Sequence, residues 1–337
     1  MPRRAGRRTN LALLGLLVLA FLTGIIAYGV GTPTPVTVIV AIHGAAGLGL
    51  LLLVPWKAVI VRRSWPHAPS TRALATGLGV LVAMTVLTGV LHAIGVAPLS
   101  MLRIHVGIAA CAVPLLLLHA WGRRQRPHRT DLSRRTLLKA GALTAGAASL
   151  WAAGEGALRL TGAAGAERRG TGSLEHGTDD PTAMPVTQWF TDAVPRRVDD
   201  AISVVVGDQQ ARIPISDLAR GDRVRAVLDC TGGWYAAQDW AGVRLDRLLG
   251  EVTDKELPDG GSIDVISRTG YRRRLPLRDA PALLLATSAA GQALSDGHGA
   301  PVRLVAPGRR GFWWVKWVER IEVVDAPWWR QPPFPIQ

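Results

Sequence analysis

Cys230 stands in the run Leu-Asp-Cys-Thr-Gly-Gly-Trp (228–234) and is one of two cysteines in the 337-residue chain; the other, Cys111, lies inside an apolar stretch. Cysteines in such different surroundings do not make a disulfide. Three roles suit the lone thiol: a small buried core residue, a nucleophile with a base beside it, or a soft ligand to a metal. No second cysteine or nearby histidine completes a zinc site, and no Cys-x-x-Cys offers redox exchange. As a ligand, the thiolate therefore serves a metal that brings its other ligands with it. A second chemically capable set is His43, His92, His105 and His119, all within long apolar runs. Ionisable side chains inside a membrane are functional by default, and two imidazoles from different helices at one depth suit the axial positions of a heme b.

The elements that must position these histidines are four apolar segments, at 11–30, 36–61, 74–96 and 101–121. Each is long enough to cross about 30 Å of hydrocarbon as a helix. Arg3, Arg4, Arg7 and Arg8 precede the first, Arg62, Arg63 and Arg72 follow the second, and GRRQRPHRT (122–130) follows the fourth, whereas the uncharged GTPTP and APLS fill the alternate connections. Basic ends lie inside, so the N-terminus is expected in the cytoplasm, where the chain returns after four crossings. At 1.5 Å per residue, His43, His92 and His105 all lie within about 10 Å of the outer ends of their helices. His43 with His105 is the expected axial pair, because His92 and His105 face each other across a short loop and would crowd a porphyrin. His119 follows His105 by 14 residues, about 21 Å along the same helical face. His67 and His128 fall in loops, so one heme is better supported than two. The competing role is polar hydrogen bonding between helices.

SRRTLLK (133–139) begins a moderately apolar, Ala/Gly-rich stretch and resembles a twin-arginine export signal, the alternative being the basic flank of an ordinary fifth helix. That route moves folded proteins, which implies folding in the cytoplasm around a cofactor. The segment is expected to stay as a fifth membrane helix or to be cut near Ala164, Gly165 and Ala166. The expected organisation is a four-helix membrane domain (1–122), the twin-arginine motif and fifth helix (123–160), a linker (161–184), a soluble domain (185–325) and a Trp/Pro-rich tail (326–337) whose tryptophans suit a headgroup level. In the soluble domain AISVVVG, RVRAVLDC, SIDVIS, PVRLVAP and KWVERIEVV read as strands, and PISDLARG and VRLDRLLG as short helices. The fold class is α+β, a helical bundle followed by a mainly β domain, with no internal repeat read. A net charge of +14 beside a hydrophobic fraction of 48% excludes a disordered chain, and arginines flanking apolar runs indicate membrane orientation, not nucleic acid.

DCTGGWYAAQDWAGVRLDRLL (229–249), GYRRRLPL (270–277) and DGHGAPVRLVAPGRRGFWWVKWVERIEV (296–323), in that order, resemble the molybdopterin domain of the sulfite oxidase family. The resemblance implies that Cys230 is the one covalent protein ligand to molybdenum, the pterin dithiolene supplying two further sulfurs. It implies that His298, Arg303 and Lys316 hold the cofactor, Arg303 through its phosphate or pterin, and that Tyr271 reaches the active-site pocket. TQWFTDAVP (187–195) falls where relatives have a pterin-lining loop; Trp234 and Trp240 read as core. Sulfite-oxidising relatives carry arginines just after the cysteine, whereas this chain has Thr231, Gly232, Gly233 and Trp234, a form closer to bacterial branches that include methionine sulfoxide reductases. Arg272, Arg273 and Arg274 offer charge for an anionic substrate, but read better as an exposed basic strand end.

The expected function is a membrane-anchored molybdenum enzyme, its catalytic domain outside the cytoplasmic membrane, transferring an oxygen atom to or from a small oxyanion or sulfoxide. Electrons would pass through heme b or the quinone pool, and the export machinery and lipid are further partners. The competing readings are a non-catalytic protein that keeps the fold as a binding or assembly module, and an enzyme whose helices only anchor a separate electron carrier.

Overall fold

The computed structural model describes residues 6–31, 33–65, 71–96, 98, 101–122, 133–188, 192–196, 199–253 and 260–334. His67 and His128, and most of the basic loop at 122–130, lie outside the described residues. The chain forms two compact units, Met1–Leu174 and Glu175–Gln337.

The first unit is built from α1 (Arg7–Gly29), α2 (Pro33–Ser64), α3 (Arg72–Ile94), α4 (Met101–Trp121) and α5 (Arg134–Thr161). The first four follow the apolar segments read from the sequence, because a run of apolar side chains without water satisfies its backbone only as a helix. All four are long and apolar enough to cross a membrane. α5 is not among those spans: it is 28 residues long, but Arg134, Arg135, Lys139, Glu155 and Arg159 dilute its apolar character. After α5, a short turn (Ala164–Glu167) docks on the end of α3. A Cβ at Gly165 would sit 2.0 Å from the Ala93 carbonyl oxygen, so the backbones touch there. Arg168 donates to Ala93 O at 3.2 Å and pairs with Glu155, and Nε2 of His92 hydrogen bonds with Gly172 O at 2.9 Å.

A two-residue strand β1 (Leu174–Glu175) marks the junction in sequence. The second unit carries two sheets. In one, β2 (Ala201–Val206) pairs with β3 (Gln209–Pro214) and runs parallel to β11 (Val318–Val324), which pairs with β6 (Ser262–Ser267) and through it with β7 (Arg272–Pro276). In the other, β4 (Asp222–Asp229) pairs with β5 (Trp234–Arg244), β5 with β8 (Leu284–Ala289), and β8 with both β9 (Gln292–Ala293) and β10 (Arg303–Val305). Alternation places Ile202, Val204 and Val206 of β2 inward, and Trp234, Ala236, Gln238 and Trp240 of β5 likewise. α6 (Leu245–Val252) closes the core with Leu245, Leu248 and Leu249, spaced for one helical face. PISDLARG forms a short 3-10 turn (Ile215–Leu218), not the expected helix: Pro214 ends β3 and leaves room for one tight turn before Gly221.

Candidate active site

Cys230 sits in the tight connection between β4 and β5. Its N–H donates to Trp234 O at 2.9 Å and Gly233 N–H donates to Cys230 O at 3.2 Å, which closes the turn, while Gly232 N–H points at Sγ from 3.3 Å. The turn is braced from below by the buried ion pair of Arg310 with Asp229, and Arg310 Nη2 also reaches Cys230 O at 3.4 Å. Gly311 abuts the cysteine so closely that a Cβ there would lie 3.1 Å from Cys230 Cα.

Three residues of the DGHGAPVR and VKW segments gather beside it. Arg303 is fully buried, donates from Nη1 to His298 O at 3.0 Å, and lies over the rings of Trp240 and Trp314 at 5.2 and 5.6 Å. Burial lowers its pKa to about 10, against the attraction of the Cys230 thiolate. Lys316 Nζ donates to Gly297 O at 2.5 Å and Thr187 O at 2.9 Å. Burial first, then the Arg303 charge, brings Lys316 down to about 8, with Cys230 and Asp192 acting the other way. His298 is bonded through Nδ1 to Ser295 Oγ at 2.8 Å; burial, then Arg303 and Lys316, hold it near 4, so it is neutral at pH 7. These three converge because residue 299 is glycine: its φ is +104°, and a Cβ would stand 3.0 Å from that of Lys316 and 3.1 Å from that of Arg303.

Nε of Arg303 and Nε2 of His298 are buried with no partner in hydrogen-bonding geometry, although the Met184 and Pro185 backbone lies close enough to His298 to act on its charge. Buried polar atoms left this way mark a missing bonding group. Two buried cations, a neutral imidazole and one soft thiolate form a donor set that fits an anionic, sulfur-bearing metal cofactor. Among the described residues no cluster of three His, Cys, Asp or Glu could hold a metal unaided, so the fit is to a metal carrying its own chelate.

Tyr271 is buried just before β7 and donates its hydroxyl to Phe312 O, next to the Gly311 that abuts Cys230. Burial raises its pKa above the ordinary phenol value. Trp234 and Trp240 are buried, donating to Thr187 Oγ1 at 3.0 Å and Ala226 O at 3.2 Å. Thr187 is the tie from the TQWF loop; Trp189 and Phe190 lie outside the described residues. Reading the sequence alone missed Asp229, Arg310 and Ser295; the signal was that the first two lie inside the motifs and Ser295 directly before one. It also misjudged Arg273, which is 2% exposed and not part of an exposed strand end.

The first unit corrects the sequence reading on repeats. Leu-Thr-Gly occurs at 22–24 in α1 and 87–89 in α3, and Ile-His at 42–43 in α2 and 104–105 in α4. The pairs are built alike. His43 Nδ1 meets Ala20 O at 2.8 Å and Thr23 Oγ1 at 3.4 Å; His105 Nδ1 meets Thr85 O at 2.9 Å and Thr88 Oγ1 at 3.4 Å. A Cβ at Gly24 would lie 3.1 Å from the edge of the His43 ring, and one at Gly89 3.0 Å from that of His105. The two rings meet edge-on, with centroids 5.9 Å apart and planes at 86°. His92 is engaged with Gly172, and His119 lies in the last turn of α4.

Residues 197–331, within the second unit, match the family described as oxidoreductase molybdopterin binding domain. The catalytic subunit MsrP of a protein-methionine-sulfoxide reductase from Ralstonia nicotianae is 32% identical over 122 residues, 32% of this chain and 35% of the relative. Nitrate reductase [NAD(P)H] from Hordeum vulgare is 29% identical over 170 residues, 42% of this chain and 19% of the relative. Among solved structures, the sulfane dehydrogenase SoxCD from Paracoccus pantotrophus shares 27% identity over 37% of this chain and 38% of its own, with a TM-score of 0.34. The chain thus spans well under half the length of each.

Proposed function

We propose that this chain is a membrane-anchored, molybdenum-dependent oxidoreductase that transfers an oxygen atom to or from a small substrate on the outer side of the membrane. The observation that carries it is Cys230, a buried thiol beside Arg303, Lys316 and His298 in a molybdopterin-binding domain. Cys230 would hold the metal, Arg303 and Lys316 the anionic part of the cofactor, and His298 Nε2 would serve as a neutral donor or acceptor toward the pterin. The bound cofactor supplies two-electron chemistry coupled to oxygen transfer. Tyr271 contributes a neutral hydroxyl held by Phe312 O, and aromatic walls from Trp240 and Trp314 cover Arg303. The curated relatives include a protein-methionine-sulfoxide reductase and a nitrate reductase, which supports a small sulfoxide or oxyanion as the substrate class.

We further infer that electrons travel through a heme b in the first unit, between His43 and His105, to or from a quinone. A carbonyl oxygen only accepts, so Nδ1 of each ring must carry the proton and Nε2 keeps its lone pair for a metal. The two rings lie with centroids 5.9 Å apart, close enough that His43 and His105 would hold one metal ion together. Twin-arginine export and retention of α5 complete the reading.

Purified protein should contain about one molybdenum per chain, lost in Cys230→Ala, and X-ray absorption should find a protein thiolate on the metal. Absence of molybdenum from both forms would support a non-catalytic module. A reduced-minus-oxidised spectrum without a heme b band would leave the helices as an anchor for a separate carrier.

A further inference from the structure

We propose that the segment from Pro327 to Phe334 is an interfacial anchor that seats the second unit on the headgroup layer of an anionic membrane; this goes beyond the oxidoreductase reading and stands without it. The segment is held firmly. Gln331 grips the β7 backbone on both sides of one residue, accepting from Arg274 N–H at 3.0 Å and donating to Arg274 O at 2.7 Å. Arg273 Nη1 donates to Pro332 O at 3.1 Å. Trp328 packs on Trp313 and Phe334 on Phe312, with centroids 6.5 and 6.0 Å apart. The Arg330 N–H donates to Pro327 O at 3.0 Å, which closes a turn with Trp328 and Trp329 at its two corners. Trp328 folds back on the domain, and Trp329 points out.

Trp329 is 67% exposed, more than any other large apolar side chain among the described residues of the second unit. Pro327, Pro332 and Pro333 are exposed beside it, so the tip is apolar apart from Arg330. An indole suits a layer that is apolar on one side and hydrogen-bonding on the other, and on a fixed turn it loses little freedom by entering. The charges around the tip have the sign that anionic lipid attracts. Arg278 and Arg330 are exposed and pair with no carboxylate among the described residues. Arg272 and Arg274 share the one carboxylate of Asp264, at 4.0 and 2.9 Å, and Arg309, stacked over Trp313 and Trp328, pairs with Asp279. Asp325, just before the turn, leaves the surplus positive. Each such cation raises affinity for an anionic surface about fivefold. The chain itself names the occupant: it carries four helices long and apolar enough to cross a membrane, so every copy lives with lipid, whereas a soluble partner or a second copy has to arrive by diffusion.

The test is photo-cross-linking of the full-length chain in lipid nanodiscs, with Trp329→benzoylphenylalanine. Phosphatidylglycerol discs are expected to give a lipid adduct at position 329, located by mass spectrometry. Its yield is expected to fall about fivefold when Arg330→Gln is added, and further in phosphatidylcholine discs. The control is Arg212→benzoylphenylalanine, because Arg212 is exposed on β3, the strand at the other edge of the sheet that ends in β7. A chain-to-chain adduct in place of lipid, no lipid adduct at 329, equal yields in the two lipids, or equal labelling from position 212 each overturn the proposal. Trp329 and Arg330 are exposed, so neither change removes a core contact. The cross-link is read whether or not molybdenum is bound, so a chain without molybdenum defeats the oxidoreductase reading and leaves this result standing.

Discussion

Gly299 shows how much of the site depends on single atoms. Alanine there has to adopt a left-handed backbone and insert a methyl between Lys316 and Arg303. Gly299→Ala is expected to destabilise the domain by roughly 1–3 kcal/mol, read by urea unfolding, and to lower molybdenum content. Arg310→Met strands the Asp229 carboxylate in a buried site and is expected to cost about 3–5 kcal/mol in the same assay. The buried cations also set a pH dependence. Lys316 in the cofactor-free fold loses its proton near 8, below the ordinary lysine value of 10.5, so between these values the unfolded chain binds more protons and stability rises with pH. His298 acts in the same sense between about 4 and 6.5. Binding of an anionic cofactor needs the charged lysine, so its affinity is expected to fall as pH rises above 8; equilibrium dialysis of the cofactor across pH 6–10 checks the sign. The cysteine, histidine, arginine and lysine were legible because each lies in a motif whose residue types announce their chemistry. Arg273 was not: three successive arginines read as surface, and only strand alternation with the covering tail buries the middle one.

At the scale of elements, the four apolar helices and strands such as AISVVVG and SIDVIS were legible because their side chains repeat with the period of the structure they form. The longest strand, β5, was less so. Its sequence, WYAAQDWAGVR, holds alanine, glutamine, aspartate and glycine, which favour no strand, and pairing with β4 and β8 decides its shape. The duplicated Thr-Gly and Ile-His corners escaped notice because two short motifs in unrelated apolar runs carry little signal until helices bring them together. Their likeness makes a specific prediction. On the proposed heme b assignment, His43→Ala and His105→Ala would each abolish the heme b spectrum, whereas His92→Ala would keep it, because His92 serves the Gly172 carbonyl. A spectrum unchanged in His43→Ala would refute this pair.

At the scale of the molecule, the sequence separated a lipid-compatible half from a sheet-rich half, since composition changes abruptly between them. Its sense of a flexible 161–184 connection captured the Gly and Ala content but not the docked turn at Ala164–Glu167, whose partners lie about seventy residues earlier in α3. That turn has a consequence for maturation. Peptidases that remove export leaders bind the chain stretched out, small side chains seated one by one in the enzyme. Here Gly165 is pressed on Ala93, and Arg168 is tied to Ala93 and Glu155. If Ala164, Gly165 and Ala166 are a cleavage signature, this docking would withhold it, and intact mass spectrometry of the membrane-extracted protein is expected to return one uncut polypeptide. Were the proposed leader retained in this way, the membrane half and the catalytic half would stay at one to one in every molecule.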